Sequence, residues 1–363
     1  MQPSSQNTPS VQRSHSATLL VGGDLGVVGR AVVEHFEANP AWEVLAISRR
    51  TPDYPTQARF LSLDLANRAQ CQQVLTEARG VTHVVFAALA PASTPSAEVS
   101  INLAMLTNLI ESLEENGAPL ERALLVQGAK VYGAHLGPYR TPAKESDSRH
   151  LPPNFYYDQE DYVREHGAAR GWNWTAVRPS GMCGLSIGSP MNLALTLGIY
   201  GSLCHELHVP LRFPGTNAGY THLQELTDAG LLARAIAWAL TEECCAGEAF
   251  NITNGDLIRW QNLWPALATF FGTSLEAPLP LPLATFMADK DETWSTMVGK
   301  YKLHPYRLSE MAGFEFTDFL FRLDYDVISD TRKARRSGFQ ECLDSQNALL
   351  ELLQCLRAKH IIP

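Results

Sequence analysis

The chain has 363 residues, 45% of them hydrophobic, and its 29 Lys and Arg against 38 Asp and Glu give a net charge of −9. This acidic balance disfavours nucleic-acid binding, because there is no general positive field to neutralise phosphates. No run approaches the roughly 20 apolar residues of a membrane-spanning helix, so we expect neither a nucleic acid nor a membrane as partner. The length allows one large domain or two modest ones.

The seven cysteines are an odd number and show no Cys-x-x-Cys spacing. This indicates neither a disulfide framework nor a zinc site. We therefore expect reduced thiols, a cytoplasmic location and no metal. The polar N-terminus lacks the apolar core of a signal peptide, and residues 1–15 are predicted to form a disordered tail.

The chain then alternates strands with helices. Residues 18–21 are predicted to form a strand that ends at a glycine turn, and an amphipathic helix follows. Further strands are predicted at 43–48, 60–64, 82–88, 123–127 and 174–178. Their near-continuous apolar character is typical of a parallel sheet covered on both faces. This alternation predicts an α/β fold with a Rossmann-type doubly wound parallel sheet.

After Pro179 this regular alternation is lost. A glycine-rich loop at 181–189 leads into a predicted helix at 191–203, residues 209–213 and 249–252 are short strand candidates, and the rest is mostly helical. The prediction is a Rossmann-type domain over 16–185, with strands contributed from about 209–255. A mostly helical substrate lobe is predicted from 186–208 and 256–363.

The turn after the first strand carries the pattern Gly23-x-x-Gly26-x-x-Gly29 and opens a helix. Such glycines permit a tight turn, close approach of a pyrophosphate, and close packing of helix on sheet. The free N–H groups of the helix N-terminus then face the anion. A purely structural turn is the alternative. The predicted dinucleotide contacts here are Gly23, Leu25, Gly26, Val27 and Val28.

The residues after the second strand indicate which dinucleotide is bound. An acidic residue there would accept hydrogen bonds from the ribose 2′-hydroxyl, but this chain has Arg49 and Arg50. Two guanidinium groups favour a 2′-phosphate and hence NADPH. Solvated surface arginines are the alternative. Asp64 and Leu65, which close the third strand, are predicted to meet the adenine edge.

A tyrosine near the start of a helix is the candidate acid. Short-chain dehydrogenases/reductases place a lysine four residues after such a tyrosine to polarise its hydroxyl. Here Glu160 stands four residues after Tyr156, and a carboxylate would raise the pKa of the phenol. Lys130 follows the fifth strand, at the edge of the sheet where such folds bind ligands. We expect Lys130 to supply the missing cation.

Several segments together resemble the progesterone 5β-reductase and iridoid synthase group of atypical short-chain dehydrogenases/reductases. They are Gly-Ala-Lys-Val-Tyr at 128–132, Gly-Pro-Tyr at 137–139, Asn-Phe-Tyr-Tyr-Asp-Gln-Glu-Asp at 154–161, and Ala-Phe-Asn-Ile-Thr-Asn-Gly-Asp at 249–256. The resemblance covers nearly everything after the tail. The tyrosine segment with a displaced lysine is its most specific part.

The resemblance implies NADPH-dependent 1,4-reduction of an activated C=C bond in a small enone or enal. Tyr156 then hydrogen-bonds the carbonyl oxygen and stabilises the enolate, while Lys130 supports Tyr156 and touches the cofactor ribose. Met182 offers backbone to the nicotinamide carboxamide, and Ser189 and Met191 lie where the family's loop folds over the cofactor. The remaining predicted cofactor contacts are Ala87, Ala88 and Gln127, at the ends of the fourth and fifth strands.

Other functions stay open at this point. The same residues could direct hydride to a carbonyl carbon, as in a 1,2-reductase, or belong to a non-catalytic NADP-binding protein. Leu89 stands where family members tend to have an aromatic residue, so the substrate need not be a steroid or an iridoid precursor. Gly184-x-Ser186-x-Gly188 matches a hydrolase nucleophile elbow, but no predicted strand runs into this serine. A homodimer is possible.

Overall fold

The computed structural model describes residues 17–363, so the predicted tail at residues 1–15 lies outside the described residues. Seven parallel strands form the main sheet, in the order β3-β2-β1-β4-β5-β6-β9. Their bounds are β1 Ala17–Gly22, β2 Trp42–Ser48, β3 Arg59–Ser62, β4 His83–Phe86, β5 Arg122–Val126, β6 Asn173–Arg178 and β9 Glu248–Asn251. A separate parallel pair consists of β7 Met182–Cys183 and β8 Thr227–Asp228.

The helices fall into two groups. Those that flank the sheet are α1 Val27–Glu37, α2 Arg68–Val74, α3 Pro95–Glu115, α4 Phe155–Arg170, α7 Ala229–Thr241 and α13 Arg332–Arg336. The others are α5 Leu193–Glu206, α6 Asn217–Thr221, α8 Trp260–Phe271, α9 Leu283–Met287, α10 Asp291–Tyr301, α11 Leu308–Met311, α12 Phe314–Arg322 and α14 Ser345–Ala358. No helix within residues 17–363 is long and apolar enough to cross a membrane.

Alternation along the strands builds the two apolar layers of the sheet. Leu20 on β1 packs with residues of α2, α3 and α4, whereas its neighbours Leu19 and Val21 pack with residues of α1 and α7. Successive side chains of a strand point to opposite faces. The apolar runs read from the sequence therefore fill both layers, and the predicted Rossmann-type fold is confirmed.

A third apolar cluster lies outside the sheet and includes Trp260, Trp264 and Phe321. It is built chiefly from α5 and from the helices that follow β9. The strand expected at 209–213 is not part of the sheet, because Leu211 forms only an isolated bridge with Leu275 and its side chain joins this third cluster. The strand expected at 249–252 is present as β9, which forms an edge of the sheet beside β6.

The strand order creates the crevice in which the candidate site lies. β1 pairs with β2 on one side and with β4 on the other, so the chain changes direction across the sheet between β1 and β4. Gly22 is level with Phe86 in this pairing, and Phe86 is level with Leu125 of β5. Open α/β sheets bind ligands at such a reversal, outside the carboxyl ends of the strands.

Candidate functional site

The glycine turn after β1 is shaped by two close approaches of the backbone. Gly23 has φ of 89°, and a Cβ atom there would lie 2.8 Å from the backbone nitrogen of Ala88. A Cβ atom on Gly29 would lie 2.2 Å from the Gly23 carbonyl oxygen. Both distances are too short for any side chain, so the fold itself requires these two glycines.

Gly26 differs from the other two glycines because the fold does not demand it. Its φ of −74° and ψ of 165° suit any residue, and the nearest atom to a Cβ there is the Gly23 carbonyl oxygen at 3.3 Å. Gly26 is the N-cap residue of α1, and no side chain accepts a hydrogen bond from the first backbone N–H groups of the helix. The space beside Gly26 and these N–H groups fit the pyrophosphate of a dinucleotide.

Residues 184–192 form a loop, here called the strap, that crosses the glycine turn. The Ser186 hydroxyl donates to the Leu25 carbonyl oxygen at 2.6 Å, and Asn192 Nδ2 donates to the Ser186 carbonyl oxygen at 2.9 Å. A Cβ atom on Gly184 would lie 2.7 Å from a methyl group of Val27. Ser186 is 2% exposed. It therefore ties the strap to the turn and is not available as a hydrolase nucleophile.

The two arginines after β2 are free to meet a ligand. Arg49 and Arg50 are exposed, and neither forms an ion pair within the part of the chain that the structure describes. The Arg50 guanidinium lies beside the strap, with its nearest nitrogen 3.2 Å from the position that a Cβ of Gly188 would take. A phosphate between the end of β2 and the strap would therefore be within reach of Arg50.

The other predicted cofactor contacts are distributed around the same crevice. Leu65 is buried beside Gly22, and the Ala87 N–H donates to the Gly22 carbonyl oxygen at 2.9 Å. Asp64, Ala87 and Ala88 are partly exposed. Met182 lies in β7, Ser189 pairs with Ala312 in an isolated bridge, and Met191 is exposed at the end of the strap. Their contact with a cofactor stays a prediction.

Tyr156 is held at the start of α4 by the cap of that helix. The Asn154 side-chain oxygen accepts a hydrogen bond from the Tyr156 backbone N–H at 3.1 Å, while Asn154 Nδ2 donates to the Lys130 carbonyl oxygen at 3.0 Å. The Tyr156 hydroxyl oxygen lies 3.7 Å from the position that a Cβ of Gly128 would occupy. The structure thus brings Tyr156 next to the turn that carries Lys130, as expected.

The Tyr156 side chain is partly exposed, and its hydroxyl forms no hydrogen bond with residues 17–363. Burial raises the pKa of Tyr156, and the negative charge of Glu98 raises it further. The phenol is therefore protonated at neutral pH and has its donor hydrogen available for a ligand.

The side chain of Lys130 has an unexpected partner. Its ammonium group forms an ion pair with the Glu98 carboxylate and lies 4.8 Å from the centre of the Phe155 ring. Glu98 is in the first turn of α3. No sequence motif marks this carboxylate, because an acidic residue in the first turn of a helix is ordinary. The candidate site therefore contains a charge that offsets that of Lys130.

Glu160, which stands at the usual lysine position, does not act on Tyr156. Its carboxylate accepts a hydrogen bond from Arg178 at 2.9 Å, and both side chains are buried. Gln127 joins this pair, because its Oε1 accepts from Arg178 Nε at 2.8 Å and its Nε2 donates to Glu160 at 3.1 Å. The polar atoms of the Gln127 side chain are thus occupied by neighbours, and its backbone N–H donates to the Val177 carbonyl oxygen at 2.9 Å. Contact of Gln127 with a cofactor stays a prediction.

A family model places the chain among known proteins. The model of the PRISE-like Rossmann-fold domain matches residues 63–363. The chain belongs to this family. The membership confirms the resemblance to atypical short-chain dehydrogenases/reductases of the progesterone 5β-reductase and iridoid synthase group, a group of oxidoreductases. No group of three or more metal-binding side chains occurs among the described residues.

Individual proteins resemble the chain over almost its whole length. The (S)-8-oxocitronellyl enol synthase CYC2 of Camptotheca acuminata is 29% identical, over 97% of this chain and 94% of the relative. The short chain dehydrogenase gsfE of Penicillium aethiopicum is 28% identical, over 95% and 99%. The UDP-glucose 4-epimerase of Thermus thermophilus, solved with NAD, superimposes with a TM-score of 0.66 over 94% and 99% at 18% identity, and shares the fold.

The glycine turn gives a paired test of its two roles. We expect Gly29→Ala to destabilise the protein strongly, because the added methyl group meets the Gly23 carbonyl oxygen. Gly26→Ala should lower the melting temperature only slightly, yet weaken dinucleotide binding at least about tenfold by crowding the pyrophosphate. Thermal unfolding and fluorescence titration with a reduced nicotinamide dinucleotide measure both. Equal loss of stability in the two variants would contradict this assignment.

Proposed function

We propose that this protein is an NADPH-dependent reductase that performs 1,4-reduction of a small enone or enal. The observation that carries the proposal is the unpartnered, protonated Tyr156 hydroxyl, at the edge of the sheet where the glycine turn lies. Relatives named (S)-8-oxocitronellyl enol synthase support a reaction that passes through an enol or enolate. The glycine turn, Arg49 and Arg50 support NADPH as the cofactor.

The proposed chemistry requires a hydrogen-bond donor at the carbonyl oxygen. NADPH, when bound, supplies the hydride. As the new C–H bond forms at the β-carbon, the electron pair of the C=C bond moves towards the carbonyl group and negative charge develops on its oxygen. The Tyr156 hydroxyl donates a hydrogen bond to that oxygen, a form of stabilisation that often dominates catalysis. The enolate then takes a proton from the solvent at the α-carbon, and the saturated carbonyl compound is the product.

Neutral tyrosine suits this role better than tyrosinate. A phenolate would repel the growing charge on the substrate oxygen, whereas a phenol stabilises it. Burial and Glu98 both raise the pKa of Tyr156 and so keep the hydrogen in place. The strap, which Ser186 fastens to the turn, would cover the bound cofactor and exclude water from this donor.

Turnover of a simple enone tests the proposal. We expect the purified protein to oxidise NADPH with cyclohexenone and to yield cyclohexanone, while saturated ketones give no alcohol. Tyr156→Phe should lower kcat at least about a hundredfold, because the oxyanion donor is lost, and leave the NADPH dissociation constant nearly unchanged. Product analysis and steady-state kinetics measure these outcomes.

Tyr162→Phe is the matched control, since Tyr162 lies on the same helix and its hydroxyl has no hydrogen-bond partner within residues 17–363. It should keep the wild-type kcat. Wild-type kcat in Tyr156→Phe would refute the role of the donor. An alcohol product from saturated ketones would identify a 1,2-reductase, and NADPH binding without any turnover would identify a non-catalytic binder.

The preference for NADPH has its own test. Replacing Arg49 and Arg50 together by Ala should raise the KM for NADPH by about tenfold or more and leave that for NADH unchanged, because charge-assisted hydrogen bonds to the 2′-phosphate are lost. Arg79→Ala is the control, since Arg79 is also exposed and forms no ion pair with the described residues. An unaltered ratio of the two KM values would exclude the phosphate site.

A further inference from the structure

We infer that Glu98 is a positioning residue of the active site, which engages the Lys130 ammonium so that Tyr156 remains a neutral donor during reduction. The inference rests on the proposed function. Its basis is the ion pair between Glu98 and Lys130, whose ammonium group lies 4.8 Å from the centre of the ring of Phe155, the residue before Tyr156. A lysine ammonium without a partner would favour the tyrosinate form, which serves as a base in alcohol oxidation. A carboxylate paired with that ammonium favours the neutral phenol.

Glu98 is fixed relative to Tyr156 by a chain of buried amides. Asn102 Nδ2 donates to the backbone carbonyl oxygens of Glu98 at 2.8 Å and of Ala90 at 2.7 Å, which secures the start of α3 to the loop after β4. Gln159 Nε2, on α4, donates to the Asn102 carbonyl oxygen at 3.0 Å. Asn102 and Gln159 are 0% and 2% exposed. The helix that bears the carboxylate is thus bound directly to the helix that bears the tyrosine.

The ion pair is sheltered enough to affect a neighbouring phenol. The side chains of Lys130 and Glu98 are 27% and 21% exposed, so water screens their charges less than in a surface pair. The Lys130 ammonium also lies against the face of the Phe155 ring, the residue before Tyr156. The pair therefore sits in direct contact with the first turn of α4.

The other titratable groups around Tyr156 do not replace this function. His135 and His150 lie in the loop between the Lys130 turn and α4, with ring centres 5.4 Å apart. Burial, followed by the charges of Lys130 and His150, lowers the pKa of His135 to about 4, so this ring is neutral in the alkaline range. On α4 itself, Glu160 is paired with Arg178, Arg149 and Arg164, and Asp158 is partly exposed.

The substitution Glu98→Gln tests the inference, because it keeps the size and a hydrogen-bond acceptor but removes the charge. Glu98→Gln removes the negative charge that raises the pKa of Tyr156 and leaves the Lys130 ammonium unopposed, so that pKa should fall. The alkaline limb of the kcat profile for enone reduction should move down by about one pH unit, with little change in the KM for NADPH. Glu115→Gln, at the far end of the same helix in an exposed pair with Arg68, should leave the profile unchanged.

A second substitution separates this role from a merely structural one. In Glu98→Gln combined with Lys130→Met, both charges are absent, and the alkaline limb should return towards its wild-type position. Structural damage from the first substitution would not be reversed by the second. An alkaline limb that Glu98→Gln leaves unmoved, in an enzyme that still turns over, would overturn the inference.

A readout that needs no turnover keeps the two proposals distinguishable. Tyrosinate absorbance, from about pH 9 to the highest pH at which both proteins stay folded, is compared between each protein and the same protein carrying Tyr156→Phe. The Glu98→Gln protein should show additional tyrosinate that the wild type lacks, and identical titrations would refute the inference. If the wild type reduces no enone, the proposed function fails, and this titration still decides whether Glu98 keeps Tyr156 protonated.

Discussion

The buried ion pair between Arg178 and Glu160 is the interaction on which the geometry of the site depends. Arg178 ends β6, and it binds both Glu160 on α4 and Gln127 just after β5. Burying such charges is costly, and removing Glu160 would cost about 3–5 kcal/mol, because the buried Arg178 guanidinium would lose its ion-pair partner. Tyr156 lies one turn before Glu160 on the same helix, so this pair holds the tyrosine hydroxyl against the carboxyl edge of the sheet.

The site contains two ion pairs with different roles. The pair of Arg178 and Glu160 is structural, whereas the pair of Lys130 and Glu98 lies near the phenol. Where short-chain dehydrogenases/reductases generally place a catalytic lysine, Glu160 faces the sheet and is neutralised by Arg178. The charges near the phenol come instead from Lys130 in the turn after β5 and from Glu98 on α3. Burial is the main influence on the pKa of Tyr156 and Glu98 raises it further, which accounts for a protonated donor in a site proposed to stabilise an enolate.

The sequence correctly predicted those parts of the fold that depend on residues close together in the chain. Apolar runs identified the strands of the sheet, and the glycine spacing identified the turn, because both depend on local backbone geometry. The proximity of Lys130 and Tyr156 followed from their places in the chain, because Lys130 comes after the end of β5 and Tyr156 lies at the start of the next long helix, α4. Asn154 links the two residues. At 209–213 the apolar pattern indicated a strand, but those side chains pack with the helices of the third cluster instead.

The sequence did not predict the ion pairs between residues that lie far apart in the chain. Nothing in the neighbouring sequence marks Glu98 as the partner of Lys130 or Arg178 as that of Glu160, since each pair joins elements that only the folded sheet brings together.

The central claim, hydride delivery to the β-carbon of an enone beside Tyr156, is tested most directly with NADPH that carries deuterium at the hydride position. Deuterium at the β-carbon of a saturated ketone, located by nuclear magnetic resonance, is the predicted result. Deuterium on the carbonyl carbon of an alcohol would contradict it.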